Sequence, residues 1–325
     1  MRILFFGSGA FGLPTLKTLA RAHEVSMVIT QPDRKAGRGG RLTPTPIGAW
    51  AAEHLAKGTT AVPLLKPERV NEPEVIEQIR ATEADAWVVI AFGQKLGQPL
   101  LADRFAINLH ASLLPRWRGA APINAAILAG DTTTGNSVIT LADRMDAGLV
   151  LGRSERPIAP TATASELHDQ LAADGPELVL RVLAAHEAGR VPAVEQDEAQ
   201  VTLAPKLSRA DSWIDCTDSA DACSRRINGL SPWPGVQAEI AGIALKLLRA
   251  QPHQDAHKTP TPASAPTAPP GTLLDPAAGL IACGEGVLQL LEVQPSGKKP
   301  MAWADFARGR ALEAGCVLTA HTPEP

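Results

Sequence analysis

The chain has 325 residues, a length that predicts two domains rather than one. Hydrophobic residues make up 45% and charged residues 20% of it, the balance of a soluble globular protein, and no run is long enough to span a bilayer. The net charge is −3, so any contact with nucleic acid must depend on local basic clusters. Because no run is long enough to span a bilayer, we expect a cytoplasmic protein with no membrane partner. Aromatic residues make up only 4%, which argues against an interface built from aromatic stacking platforms.

The cysteine pattern predicts neither a disulfide framework nor a metal site. The chain contains four cysteines, and none of them forms a C-x-x-C pair. We expect reduced thiols with structural roles and no bound metal.

The first predicted element is a strand followed by a glycine turn. Residues 7–12 read GSGAFG, which matches the dinucleotide pattern G-x-G-x-x-G, and they follow the apolar run Ile3–Phe6. A nicotinamide site also needs an acidic residue at the end of the second strand, where this chain has Thr30 and Gln31. We therefore interpret the glycines as a tight turn packed against a neighbouring loop. The nicotinamide enzyme stays open as an alternative.

Apolar runs alternate with helical patterns through the first half of the chain. Ile3–Phe6, Val25–Ile29 and Trp87–Phe92 are almost wholly apolar, as is typical of parallel strands buried on both faces. Leu13, Leu16 and Leu19 recur at helical spacing between the first two runs, and residues 74–82 are also predicted as helix. The pattern predicts a Rossmann-like, doubly wound parallel sheet in an α/β domain.

The residues with chemistry come next, in INLHASLLPRWRGAAP from residue 107. Ile107–His110 is predicted as a strand, so Asn108 and His110 share one face at a strand end, where open α/β sheets bind ligands. Asp146 lies further on in DRMDAG, and a carboxylate beside an imidazole fixes its tautomer. Asn and His⁺ can stabilise an oxyanion while Asp helps to remove a proton from an amine, so the set suits acyl transfer. Polar residues satisfied at a strand end are the structural alternative.

The remaining elements predict a second, smaller domain. Strands are predicted at Ser137–Leu141 and Leu149–Gly152, followed by a helix over residues 165–188 with Ser165 as its N-cap. Short strand-like segments after residue 235 predict a small β-barrel. We predict a first domain at 1–189, a linker at 190–205 and a second domain at 206–325. The proline-rich residues 259–270 are predicted to form a loop, to which we assign no function.

The segments NLHASLLPRWRGAAP and DRMDAG resemble the folate-dependent formyltransferases, which transfer the formyl group of 10-formyltetrahydrofolate to an amine. The resemblance implies an OB-like fold for the barrel and catalytic roles for Asn108, His110 and Asp146. It also implies a folate site with no metal. That site would be lined by Ser112, Leu113, Leu114, Pro115, Ala91, Phe92 and Gly93.

The identity of the amine depends on three further segments. QPDRKAGRGGRLTPTP (31–46), APKLSRADSWIDC and NGLSPWPG resemble the methionyl-tRNA formyltransferases of that superfamily over nearly the whole chain. This implies that the partner is initiator methionyl-tRNA, formylated on its α-amine for translation initiation by a monomeric enzyme. The tRNA contacts would come from Arg34, Lys35, Arg38, Arg41 and Lys206.

Two other functions stay open at this point. A formyltransferase for a sugar nucleotide would not need the basic loop, and a basic surface loop can simply be solvated. A catalytically silent tRNA- or folate-binding protein is the other alternative, although the intact Asn108, His110 and Asp146 argue against it. Gly40, Arg41 and Gly48 replace lysines that many of the tRNA enzymes carry, so the strength of tRNA binding is open.

Overall fold

The computed structural model describes residues 1–36, 40–56, 61–253 and 268–320. Within these ranges no helix is both long and apolar enough to cross a bilayer. Arg38 and residues 259–267 of the proline-rich segment lie outside the described residues.

The chain divides into two compact units. The first unit comprises Met1–Arg118, Gly135–Arg156 and His168–Leu203. The second comprises Gly119–Thr134, Pro157–Leu167 and the chain from Ala204 onward. Two segments that precede residue 168 thus group with the second unit, which the sequence did not indicate. The boundaries at 190–205 stay a prediction.

A seven-stranded sheet forms the centre of the first unit. The strands up to residue 204 are β1 (Arg2–Gly7), β2 (Glu24–Ile29), β3 (Arg34–Ala36), β4 (Arg41–Thr43), β5 (Leu64–Leu65), β6 (Ala86–Ile90), β7 (Ala106–His110), β8 (Arg118–Gly119), β9 (Thr133–Thr140), β10 (Val150–Pro157) and β11 (Leu203–Ala204). The sheet has the order β10-β9-β7-β6-β1-β2-β5; β3 pairs with β4, and β8 pairs with β11. Strands β5, β2, β1, β6 and β7 run parallel, whereas β9 is antiparallel to β7.

This strand order confirms the parallel α/β prediction and locates a ligand-binding edge. The chain winds outward from β1 in one direction through β2 and in the other through β6, so the carboxyl ends of β1 and β6 flank the topological switch point. Open sheets of this kind bind ligands in the crevice at that point. β6 is fully buried along its length, in agreement with its uninterrupted apolar sequence.

The helices begin where the sequence supplies a start signal. Those before residue 188 are α1 (Leu13–Ala22), α2 (Pro46–His54), α3 (Pro73–Ala81), α4 (Gln98–Leu101), α5 (Pro122–Ala129) and α6 (Ala164–Glu187). Helices α1 to α5 each have proline in the first turn, where the missing N–H costs nothing.

The N-cap that we predicted for α6 is wrong by two residues. The Thr163 hydroxyl accepts the Glu166 N–H at 3.3 Å, and the Glu166 carboxylate accepts the Thr163 N–H at 3.0 Å. This reciprocal pair is a capping box, which satisfies two N–H groups that the helix leaves free. Ser165 is therefore already inside the helix.

The second unit contains a curled antiparallel sheet. Its further elements are α7 (Ala220–Leu230), β12 (Val236–Ile240), β13 (Ile243–Pro252), β14 (Leu273–Asp275), β15 (Leu280–Ala282), β16 (Val287–Pro295), β17 (Met301–Ala302), α8 (Trp303–Arg308) and β18 (Leu318–Ala320). The sheet order is β14-β15-β16-β13-β12-β18, and β17 pairs with β16. A bridge between Thr272 and Val317 joins the chain beside its two edge strands, so the sheet curls back on itself. The finer OB-like assignment stays a prediction.

The core of the second unit lies inside this sheet. Helix α7 packs there against β13, and Trp303 and Phe306 of α8 are fully buried with ring centroids 5.2 Å apart. Burying two aromatic rings contributes several kcal/mol of hydrophobic stabilisation, on the order of 2–3 for each. All four cysteines are free thiols, as predicted.

Candidate active site

The glycine turn after β1 packs against the loop after β6. A Cβ atom added at Gly9 would lie 3.3 Å from the Cβ of Ala91, and one added at Gly12 would lie 3.2 Å from that of Ile90. The N–H groups of Ser8 and Gly9 donate to the carbonyl of Ala91 at 3.2 and 3.3 Å. A pyrophosphate would need these donors, so the structure agrees with the packing interpretation and disfavours the nicotinamide alternative.

Gln31 stands where the dinucleotide pattern requires an acidic residue, and its side chain contacts the backbone of the protein. Gln31 donates from Nε2 to the carbonyl of Phe92 at 3.2 Å, and the Ser8 hydroxyl donates to the same carbonyl at 2.9 Å. The switch point is thus used to fix the backbone that follows β6.

Asn108 and His110 lie on one face at the carboxyl end of β7. In the sheet register Asn108 is opposite Val89 of β6 and Ile139 of β9, and His110 is opposite Ser137. His110 is 6% exposed, whereas Asn108 is half-buried. Within the described ranges the Asn108 amide has no hydrogen-bond partner in the protein. It is therefore available to a ligand.

Each ring nitrogen of His110 faces an oxygen atom of another residue. Nε2 lies 2.9 Å from the carbonyl oxygen of Trp117, and Nδ1 lies 3.6 Å from Oδ2 of Asp146. Because a carbonyl can only accept, Nε2 carries a hydrogen, and Nδ1 is the nitrogen left to exchange a proton. The separation between Nδ1 and Oδ2 of Asp146 is longer than a hydrogen bond.

Two residues that contact His110 have a positive φ, which is unfavourable for any residue with a Cβ atom. Trp117 has φ 64° and Asp146 has φ 53°, both in the left-handed region. Such a conformation costs on the order of 1–2 kcal/mol for a residue with a Cβ atom and persists only where the surroundings impose it. Both strained residues contact His110.

The SLLP segment follows β7 and is fixed mainly through its backbone. The Ser137 hydroxyl donates to the carbonyl of Ser112 at 2.7 Å and accepts the N–H of Leu114 at 3.1 Å. Leu114 is 1% exposed and the bond from Leu114 to Pro115 is cis. Leu113 and Pro115 are half-buried. Leu113 and Pro115 are thus the side chains of this segment best placed to meet a ligand.

The segment after β6 offers backbone rather than side chains. The Phe92 ring is 2% exposed and lies edge-on to Phe6 at 5.7 Å, so it belongs to the core. Ala91 and Gly93 are exposed, with φ 47° and φ 85°. The positive φ of Gly93 favours glycine at this position.

Of the predicted tRNA-binding residues, Arg34, Lys35, Arg41 and Lys206 are exposed. Arg34 and Lys35 are on β3 and Arg41 is on β4, and these two strands pair antiparallel. Arg34 pairs with Glu68 at 2.8 Å, which leaves its charge partly compensated. Lys206 is exposed in the second unit.

The structure adds one residue that the sequence did not indicate. Gln196, within the predicted linker, donates from Nε2 to the carbonyls of Asp146 and Gly148, both at 2.8 Å. Glutamine in a polar segment gives no sequence signal, and 50 residues separate it from Asp146.

Comparison with known proteins agrees with this architecture. Residues 1–183 match the family described as formyl transferase, and residues 206–311 match the formyl transferase C-terminal domain. The chain is 41% identical over 316 residues to a methionyl-tRNA formyltransferase of Methylococcus capsulatus, covering 96% of this chain and 98% of the relative. It is 39% identical over 315 residues to the methionyl-tRNA formyltransferase of Solibacter usitatus, covering 96% of each.

Solved structures share the fold at low sequence identity. An N-formyltransferase from Helicobacter canadensis, in complex with folinic acid and dTDP-3-aminofucose, superposes with a TM-score of 0.64 at 11% identity, covering 90% of this chain and 98% of that one. HypX from Aquifex aeolicus in complex with tetrahydrofolic acid gives 0.59 at 17% identity, covering 94% and 46%. Together with the full-length relatives, the matches of both domains show that the chain belongs to the formyl transferase family, among the methionyl-tRNA formyltransferases.

Proposed function

We propose that the protein transfers the formyl group of 10-formyltetrahydrofolate to the α-amine of methionine on initiator tRNA. The observation that carries the proposal is the buried His110 facing Asp146 at 3.6 Å, in a chain that belongs to this family. Asn108 lies beside them, and its amide has no hydrogen-bond partner among the described residues. Because this substrate is charged tRNA, the proposed place of action is the cytoplasm.

His110 and Asp146 act as the proton-transfer pair in this proposal. The bond from Nε2 to the Trp117 carbonyl fixes the ring, so that Nδ1 points to the carboxylate. A closure of about 0.7 Å would bring Nδ1 and Oδ2 to an ordinary hydrogen-bond distance of about 2.9 Å. Asp146 then takes up the proton that the attacking amine loses as its nitrogen bonds to the formyl carbon, and Nδ1 of His110 beside it is the second group that can carry this proton. The proton goes to N10 of tetrahydrofolate when the bond from N10 to the formyl carbon breaks.

Asn108 is the proposed donor to the formyl oxygen. Its amide lies on the same strand face as His110, two residues away, and has no competing partner among the described residues. A donor that is fixed before reaction stabilises developing negative charge without reorganisation. When bound, 10-formyltetrahydrofolate supplies the carbonyl carbon that the amine attacks.

The residues predicted to line the folate site fit a flat, hydrogen-bonding ligand. Ala91 and Gly93 present exposed backbone with φ in the left-handed region. Backbone of this kind offers N–H and C=O groups to a ring system with its own donors and acceptors. Leu113 and Pro115 supply apolar surface, whereas we assign Ser112, Leu114 and Phe92 to the support of this backbone because they are buried.

The basic side chains are the proposed contacts to tRNA phosphates. Lys35 and Arg41 are exposed on the paired strands β3 and β4, and Lys206 is exposed in the second unit. With a net charge of −3, the protein must attract the tRNA through such local groups. Arg34 contributes less because Glu68 shares its charge.

The decisive experiment measures formyl transfer from 10-formyltetrahydrofolate to four acceptors. They are charged initiator methionyl-tRNA, charged elongator methionyl-tRNA, glycinamide ribonucleotide and a UDP-amino sugar. We expect product on initiator tRNA alone, and a loss of about 10²–10³ in kcat for His110→Ala. His54→Ala is the matched control, because that side chain is 47% exposed and distant in sequence from the site.

The other outcomes separate the alternatives. Product on the amino sugar, together with full activity after removal of residues 34–42, would establish a sugar-nucleotide enzyme. Ligand binding without transfer to any of the four amines would indicate a silent binding protein. Full activity of His110→Ala on initiator tRNA would keep the substrate and refute the proposed chemistry.

A further inference from the structure

The segment from Gln196 to Thr202 contacts the loop that carries Asp146 and also the backbone of Trp117 and Arg118 near His110. The two N–H groups of the Gln196 amide donate to the carbonyls of Asp146 and Gly148 at 2.8 Å. The Thr202 hydroxyl accepts the N–H of Trp117 at 2.9 Å, and the Thr202 carbonyl accepts the N–H of Arg118 at 2.9 Å. Trp117 supplies the carbonyl that holds His110.

Arg118 fixes the orientation of the Gln196 amide. Its Nε donates to Oε1 of Gln196 at 2.9 Å, and the guanidinium is buried, at 5% exposure. Arginine can only donate, so the oxygen of the amide must face Arg118 and the NH₂ group must face the two carbonyls. The contacts of the amide oxygen and those of the amide nitrogen therefore require the same orientation of the Gln196 side chain.

Glu198 links Arg118 to Arg144, which precedes Asp146 in the same loop. Its carboxylate accepts from Arg118 Nη2 at 2.9 Å and from both terminal nitrogens of Arg144 at 2.8 and 3.1 Å. The hydrogen bonds from Arg118 and Arg144 hold the pKa of Glu198 below its ordinary value, so it stays ionised at neutral pH. Arg144 lies two residues before Asp146, and Gly148 lies two residues after it.

The Asp146 loop needs such external support. Asp146 itself has φ 53°, a conformation that is unfavourable for a residue with a side chain. The carbonyl of Asp146 accepts directly from Gln196, so the amide holds the backbone of the strained residue. Without it, the loop would relax toward ordinary φ values and carry the carboxylate away from His110.

We infer that Gln196 is a positioning residue for catalysis, which sets the distance between Asp146 and His110 through the backbone of the Asp146 loop. Arg118 orients the Gln196 amide. Thr202 fixes the backbone of Trp117, whose carbonyl orients His110. The inference rests on the proposed function, because it assigns the Asp146 carboxylate a part in the transfer step. Within the described part of the chain, Gln196 makes no hydrogen bond to the His110 imidazole or to the Asp146 carboxylate group.

The test replaces Gln196 by two residues of similar length. Gln196→Met removes the donors, and Gln196→Glu keeps the partner of Arg118 but turns an acceptor toward two carbonyl oxygens. We expect kcat to fall about 10–100-fold for Gln196→Met and further for Gln196→Glu, since a misplacement of about 1 Å costs up to 10²-fold. KM for both substrates should stay within about threefold, because the folate-lining segment and the paired strands β3 and β4 are untouched.

Gln200→Met is the matched control. Gln200 lies in the same segment, and its side chain donates to Asp197 at 2.9 Å. We expect wild-type kcat for this variant. Amide hydrogen exchange of residues 141–149 provides a second readout that does not depend on turnover, and it should be faster in Gln196→Met than in Gln200→Met.

Each outcome is decisive for the inference. Lower kcat together with faster exchange of the loop supports it. Unchanged kcat, or unchanged exchange, in Gln196→Met would overturn it even if the wild type formylates initiator tRNA. A wild type that formylates none of the four amines would instead refute the proposed function, a result that is visible before any variant is made.

Discussion

Gly148 should tolerate no side chain, and the reason can be read from one distance. A Cβ atom added there would lie 1.7 Å from the carbonyl oxygen of Thr140, where side-chain carbons are not found closer than 3.0 Å. The backbone must therefore separate by about 1.3 Å, the difference between these two distances. The obstacle is a backbone carbonyl at the end of β9, which cannot rotate away as a side chain would.

The expected consequence of Gly148→Ala is a catalytic defect larger than its loss of stability. The separation would strain two hydrogen bonds between Thr140 and Leu149, at 2.9 and 3.0 Å, and the bond from Gln196 to the Gly148 carbonyl. Crowding of this kind costs typically 1–3 kcal/mol of stability. A shift of about 1 Å transmitted to Asp146 would lower kcat about 10²-fold.

Gly284→Ala is the control for this comparison. A Cβ at Gly284 would lie 1.8 Å from the carbonyl oxygen of Thr217, so the clash is nearly the same, but it lies in the second unit. The assay measures kcat for formylation, normalised to the folded fraction from thermal unfolding of each variant. If both variants lose the same fraction of kcat, or Gly148→Ala keeps more than a third of it, the link between loop geometry and Asp146 would be refuted.

Two further predictions concern the amide donor and a salt bridge. Asn108→Ala should lower kcat about 10²–10³-fold while the melting temperature changes by less than a degree or so, because the amide makes no hydrogen bond to the described residues; unchanged kcat would exclude it as the donor. Glu166→Gln should lower the free energy of unfolding by about 1 kcal/mol at pH 7, since Arg249 and the Thr163 cap depend on the carboxylate. The Arg249 hydrogen bonds hold the pKa of Glu166 below its ordinary value of 4.5, so the wild-type advantage is present above pH 4.5 and should vanish as pH falls through that lower value. A difference from wild type that is equal at pH 7 and pH 3 in urea unfolding would contradict this assignment.

Much of the first sheet followed from the sequence because buried parallel strands leave a local signature. The runs around Ile3–Phe6, Val25–Ile29 and Trp87–Phe92 became β1, β2 and β6 with ends shifted by one or two residues. Likewise the alternation after residue 235 became β12, β13, β15 and β16. The short strands β14, β17 and β18 were not predicted, since two or three residues carry no measurable periodicity.

Part of the candidate site also followed from local sequence. Asn108 and His110 are two residues apart on a strand, and this spacing alone places them on one face. The distance from His110 to Asp146 did not follow, because it depends on how the loop after β9 returns to the end of β7. The Trp117 carbonyl that holds the imidazole was also hidden, since every residue has a carbonyl and only its position gives it a role.

Residue identities and short spacings were enough to predict the class of fold, the family and the residue types that we propose for catalysis. Which side chains support the backbone of the site became visible only in the three-dimensional structure. It buried the Phe92 ring against Phe6 and turned Gln31 and Gln196 onto backbone carbonyls far away in the chain. Hydrogen bonds to backbone carbonyls are blind to the side chain of the acceptor, so they leave no trace in the sequence until the fold brings the two chain segments together.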